Sequence, residues 1–167
     1  MTTPSVRRVK LDEARCRLNA AIAGLDDADF AAPVSPGNWT IHEVIVHIAA
    51  WDAIGRRTVD ELVAGLAPTR FITDVDGFNY EAVDDEARAT RSPAEALARL
   101  AANRELFLSS LDRAPHEFWH RARRATSGDP VSIAGLLDTW TKHDHEHAAE
   151  VEEFVARKSS ATTLLSE

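Results

Sequence analysis

Cysteine is nearly missing from this chain: Cys16 stands alone among 167 residues, so no intrachain disulfide can form and the sequence suits a reducing compartment. Its neighbours Arg15 and Arg17 would lower a thiol pKa if they lay close. Cys16 nevertheless falls off the stripe of Leu11, Ala14, Leu18 and Ile22 and has no candidate base beside it, so it is read as an ordinary residue. Long hydrophobic runs are missing too. No stretch approaches about twenty apolar residues, and Met1 to Lys10 has no signal-peptide core, which makes a membrane span unexpected and a cytoplasmic location the expectation. Positive charge is in short supply, with 19 Lys and Arg against 27 Asp and Glu and a formal net charge of −8. Such a field repels phosphate backbones and anionic membranes. The basic clusters Arg7-Arg8-Lys10 and Arg121 to Arg124 alternate with acidic stretches and lack interleaved aromatics, so they read as solvated surface, and nucleic acid is not an expected partner. Alternating strand patterns, internal repeats and low-complexity tracts are absent as well.

What remains is helical periodicity. Hydrophobic residues make up 44% and charged residues 28%, the balance of a globular chain with one core. Residues 1–158 are expected to form a single domain and 159–167 a frayed tail. Leu11, Ala14, Leu18, Ala21, Ile22 and Leu25 recur at three- and four-residue steps and predict a first helix ending near Gly24 to Asp26, before the breakers Pro33, Pro36 and Gly37. Thr40 followed by Glu43 is a capping box that opens a second helix, running to about Ala64 and closed by Gly65 and Pro68. The stretch from Pro68 to about Glu86 is the longest connection, with Asp74, Asp76 and Gly77 as turn formers and one short helix after them. Ser92 and Pro93 start a third helix with Leu97, Leu100, Ala101, Phe107, Leu108 and Leu111 on its buried side, and Pro115 ends it. A second irregular connection follows, with a turn at Ser127-Gly128-Asp129-Pro130, and Ser132 caps a fourth helix that keeps its period to about Lys158. The architecture predicted is all-α, a four-helix bundle, the kind of fold that builds metal sites from side chains on facing helices.

Three histidines fall on the stripes that such a core buries. His143 and His147 share the face of Leu136, Leu137, Trp140, Val151 and Phe154, and His47 lies between Val44, Ile48 and Trp51. Residues four apart stack on one face of a helix, so the rings of His143 and His147 can converge on one ion. Taken alone, that spacing is common on ordinary helices, and His47 alone is most simply a core histidine with one hydrogen bond. Together, three neutral imidazoles from two helices make a ligand set with a position left open, the pattern of catalytic metal sites. His145 and Glu146 point away from the stripe, Asp144 flanks it, and His42, His116 and His120 are expected at the surface or in loops. Asp52 and Glu150 are candidates for orienting the ligand rings, and Asp52 alternatively for ligating the ion itself. Trp39, Trp51 and Trp140 are expected in the core, unless the site opens near one of them and makes it a pocket wall.

The segment Asn38-Trp39-Thr40-Ile41-His42-Glu43-Val44-Ile45-Val46-His47-Ile48-Ala49-Ala50-Trp51 resembles the second-helix signature of the DinB/YfiT-like superfamily, and His143-Asp144-His145-Glu146-His147 resembles its fourth-helix motif. The resemblance spans most of the chain. It implies an up-down-down-up four-helix bundle and a divalent metal held by one histidine of the second helix and two of the fourth, which fall on His47, His143 and His147; by ligand chemistry three imidazoles suit zinc, nickel or iron, and copper as well. The stretch Asp76-Gly77-Phe78-Asn79 is similar to the branch that includes the colibactin self-resistance hydrolases. Other members of the superfamily are transferases and isomerases that use mycothiol or bacillithiol, and members often pair as homodimers.

The function expected is therefore a metal-dependent enzyme, a thiol transferase or a hydrolase, that activates a low-molecular-weight thiol or water against a small electrophilic substrate. Catalytic residues beyond the ligands are not assigned. A non-catalytic bundle that binds metal or a small molecule in a stress response is the alternative, and histidines serving only as core packing are a third reading.

Overall fold

Capping chemistry sets where the helices begin. In the computed structural model, which describes residues 3–35, 37–69 and 90–164, helix α1 (Pro4–Ile22) starts behind Thr3, whose side chain accepts the Val6 amide, and carries Pro4 in its first turn, where a missing N–H leaves no bond unmade. Gly24 then takes φ +87°, a left-handed turn that stops the helix. A five-residue helix, α2 (Asp27–Ala31), follows behind a reciprocal cap between Asp26 and Asp29; it is too short to show a period, and the sequence reading did not include it. Helix α3 (Ile41–Val63) begins with the expected capping box: Glu43 N–H donates to Thr40 Oγ1 at 3.2 Å, and Thr40 N–H to Glu43 Oε2 at 2.7 Å. Helix α4 (Pro93–Arg113) has Ser92 as its cap and is followed by Pro115, as expected. A short 3-10 turn (His116–Phe118) and a two-residue antiparallel ladder, Arg123–Arg124 with Pro130–Val131, lead through Gly128 into helix α5 (Ile133–Leu164). The ladder is too brief to leave an alternating pattern. Helix α5 continues six residues past Lys158, where its period was expected to end. Pro36, the turn formers Asp74, Asp76 and Gly77, the short helix expected after them, and the Asp76 to Asn79 stretch lie outside the described residues.

Cross-helix partners fix the directions. Arg7 meets Asp138, Arg15 meets Asp144 and Arg17 meets Glu152, so sequence numbers rise together and α1 runs parallel to α5. Likewise Asn103 donates to the Ala49 carbonyl and Arg104 meets Asp52, so α3 runs parallel to α4. Between these pairs the order reverses: Leu11 clusters with Ile54 and Leu62, whereas Leu18 and Ile22 cluster with Ile41 and Ile45. The four long helices thus run up, down, down, up. Gly55 allows a close approach in this arrangement, since a Cβ there would sit 3.0 Å from Trp140 Nε1 and 3.1 Å from the Phe107 ring. Among the described residues, no helix is long and apolar enough to cross a membrane.

Candidate metal centre

The seam between α3 and α5 brings the three predicted histidines together. His47 is 2% exposed and His143 8%, while His147 stands half-buried at the edge. The Nε2 atoms of His47 and His143 are 2.9 Å apart, and those of His143 and His147 3.1 Å apart. Among the described residues this is the one group of three metal-capable side chains whose ligand atoms all lie within 4.8 Å of one another.

Proton positions decide what this convergence can do. Glu150 Oε2 lies 2.7 Å from His147 Nδ1, so the carboxylate accepts that proton and leaves the Nε2 of His147 as a lone pair facing the other rings. In the metal-free protein, His143 Nε2 has at most one proton to share between two nitrogen neighbours. The Nδ1 atoms of both His47 and His143 are buried without a hydrogen-bond partner, so no alternative pairing draws the rings elsewhere. His47, His143 and His147 could each offer a lone pair to one divalent ion, which would relieve the crowding. Nitrogens 2.9 and 3.1 Å apart are close enough for His47, His143 and His147 to share one ion. The residues fit a divalent transition metal held by neutral imidazoles.

Their charge state agrees. Burial, reinforced by the neighbouring His147, pushes His47 down to about 3. His143 is also held well below the usual imidazole range, first by burial and then by the charges of His147, His47, Arg15 and Arg104. Both are therefore neutral in the fold at pH values where a histidine of the unfolded chain, titrating near 6.5, takes up a proton. Below about pH 6.5 the unfolded state binds more protons, so the stability of the metal-free protein falls as pH falls. A melting temperature measured in a chelator is expected to be clearly lower at pH 5 than at pH 7.5. A flat profile across that window would mean that the two rings are not buried neutral.

Aromatic side chains wall the site. The Trp51 ring stacks on His143 with centroids 3.7 Å apart and planes at 10°, Trp39 meets His47 edge-on at 4.9 Å, and Trp140 donates its indole N–H to the Trp51 carbonyl at 3.2 Å. The histidines face a cavity of about 760 Å³, whose walls include Trp39, Trp51 and Val44 and whose polar side includes Lys142 and Glu146. Trp140 is core, as expected, and so is Trp51, which also walls the cavity, whereas Trp39 is a half-buried pocket wall.

Of the two carboxylates considered for a supporting role, Glu150 orients His147 and Asp52 touches none of the histidines. Asp52 is fully buried and bonded to Arg15 and Arg104 instead, because its turn of α3 faces α1 and α4. His116, His120 and His145 are exposed and His42 is half-buried, none of them in the cluster. Sequence reasoning missed the buried charges Arg15, Arg104 and Asp144. Each stands at a three- or four-residue step from stripe residues, Arg15 between Leu11 and Leu18 for instance, and that is the signal by which the histidines were found.

Fold and site together define a four-helix bundle whose core presents a three-histidine cluster able to hold a metal ion. The chain belongs to the DinB superfamily, whose family model matches residues 10–151. Its fold is similar to the crystal structure of a mycothiol-dependent maleylpyruvate isomerase, at 14% identity and TM-score 0.75 over 90% of this chain and 63% of that one; the chain thus spans less than two-thirds of the isomerase. It is similar to YfiT from Bacillus subtilis, described as a probable metal-dependent hydrolase with an unusual four-helix bundle topology, at 18% identity and TM-score 0.75 over 93% and 87% of the two chains. A third structure, a four-helix bundle protein, aligns at 20% identity and TM-score 0.63 over 90% of this chain and 98% of that one. No curated protein matches by sequence.

Proposed function

We propose that this protein is a metal-dependent enzyme in which an ion on His47, His143 and His147 serves to activate a low-molecular-weight thiol of the mycothiol or bacillithiol kind, or water, for attack on a small electrophile. The observation that carries the reading is the meeting of three imidazole Nε2 atoms on the wall of an open cavity. Bound there, zinc, nickel or iron supplies Lewis acidity that lowers the pKa of a thiol or water beside it. The chain's own residues do the rest. Glu150 holds His147 in the tautomer that ligates, Trp51 braces the His143 ring, and Trp39, Trp51 and Val44 give the cavity dry walls. A cavity of about 760 Å³ far exceeds what an attacking water needs and lies within the ordinary range for small-molecule sites. Either nucleophile shares that space with the electrophile, so the volume admits both; the likeness to a mycothiol-dependent isomerase supports the thiol, and the likeness to a probable metal-dependent hydrolase supports water.

One observation favours a non-catalytic binding bundle instead. Glu150 is engaged by His147 and so does not stand ready as a base. Gently purified protein is expected to carry close to one metal ion per chain and to consume electrophiles when thiol is present, whereas turnover without thiol selects water as the nucleophile. Chelation is expected to stop turnover and to lower the melting temperature by about 5–10 °C, because an ion at a hundred times its Kd adds roughly 2.7 kcal/mol. Metal without turnover across thiol and ester panels selects the binding reading, and protein that neither contains nor takes up metal defeats both.

A further inference from the structure

Midway along the bundle, each of the four long helices buries one charged side chain: Arg15 on α1, Asp52 on α3, Arg104 on α4 and Asp144 on α5, none more than 7% exposed. On every helix the charge interrupts the apolar stripe, and together the four divide the interior into two hydrophobic clusters. Arg15 grips Asp144 through Nε at 3.1 Å and Nη2 at 2.9 Å and reaches Asp52 through Nη1 at 3.0 Å. Arg104 donates from Nε to Asp52 at 3.1 Å and from Nη2 to Asp144 at 2.6 Å. Both carboxylates come from the helices that carry the imidazoles, and both guanidiniums from helices that carry none. Each arginine therefore spans α3 and α5.

That connection matters because α3 packs chiefly against α4 and α5 chiefly against α1, which leaves the seam between α3 and α5 thin. Yet it is this seam that must bring His47 to His143 and His147. Apolar contact across it, such as Trp140 against Gly55 and Trp51, is less directional than a charged hydrogen bond. Metal–ligand distances tolerate only about 0.2 Å. A forked arginine–carboxylate bond is directional, and a slip that unpairs a buried charge is strongly unfavourable. The indole bond from Trp140 to the Trp51 carbonyl ties the same seam, but by a single neutral contact.

We infer that Arg15, Asp52, Arg104 and Asp144 form a charge lock that fixes α3 against α5 and so holds the three imidazoles within reach of one ion. They are positioning residues, and the inference rests on the metal-binding reading of the histidines. The test is a titration of metal-free protein with cobalt(II), followed by its visible spectrum well below the melting temperature. Parent is compared with the variant Arg15→Met, Asp52→Leu, Arg104→Met, Asp144→Leu, which replaces the lock by apolar side chains of similar volume. Cobalt affinity is expected to fall by about 10-fold or more, the lower end of what lost outer-shell support costs, with an altered spectrum and parent-like helicity. A folded variant with the parent's affinity and spectrum overturns the inference. If that variant does not fold, Asp52→Asn decides, with the same loss expected and an unchanged affinity overturning the inference. Leu111→Ala, in the apolar cluster containing Trp119, is expected to lower the melting temperature without moving cobalt affinity. An equal loss of affinity there reduces the effect to general destabilisation and defeats the lock. A parent that binds no cobalt is a separate outcome, which removes the metal reading itself and this inference with it.

Discussion

Replacing His143 by alanine is expected to abolish stoichiometric metal binding while leaving the bundle folded. His143 is the hub of the cluster, its Nε2 lying 2.9 Å from that of His47 and 3.1 Å from that of His147. Losing a direct ligand costs more than the 10- to 100-fold penalty typical of groups that only orient ligands, so affinity should fall by more than about 100-fold. The metal-free state responds differently. There His143 is a buried neutral ring whose Nδ1 has no partner, and an unpaired buried polar atom costs about 1–3 kcal/mol. Truncation removes that cost but also the ring stacked on Trp51, so the two terms oppose each other and the metal-free melting temperature should change little. The result sought is a parent that melts higher with metal than in a chelator and a His143→Ala variant that melts at one temperature in both. If His143→Ala, and likewise His47→Ala and His147→Ala, bound metal as tightly as the parent, the imidazoles would be core packing.

The same contrast between buried polar atoms and their partners explains how much the sequence disclosed. Caps at Thr40 and Ser92, the stripe through Leu11 and Leu18, and the spacing of His143 and His147 are local patterns, each needing only a few neighbouring residues to be read. The direction of each helix is legible only through long-range pairs such as Arg7 with Asp138, and was expected only by resemblance. His47, 96 residues before His143, was placed beside it because all three rings lay on buried faces. The same logic applied to charge points to Arg15, Arg104 and Asp144, but a lone charge within a stripe looks like a solvated edge until its partners are known. Those partners come from other helices, and no local period reveals which arginine meets which carboxylate. Asp52 shows the limit most clearly, since one step along α3 from Trp51 turns it from the histidines toward α1 and α4.

Removing a single charge from that buried group is expected to cost far more than removing any surface ion pair. Asp144 accepts three of the five hydrogen bonds that the two guanidiniums make to carboxylates. Asp144→Leu leaves both arginines facing Asp52 alone, with one uncompensated positive charge in the core, and breaking a buried pair in this way costs about 3–5 kcal/mol. At roughly 2–4 °C per kcal/mol for a chain of this size, the melting temperature should drop on the order of 10 °C. Arg17→Ala is the comparison: its partner Glu152 is 44% exposed and Arg17 itself 43%, so water screens that pair and its loss should barely move the melting temperature despite the short 2.6 Å contact. Coupling separates charge from packing. Adding Arg104→Met to Asp144→Leu restores neutrality, because Arg15 and Asp52 remain as a pair, and should recover part of the loss, whereas two independent packing defects would add. If the double variant melts lower than Asp144→Leu by the full cost of Arg104→Met, the buried charges are not acting as one unit, and shape complementarity must hold the bundle's centre instead.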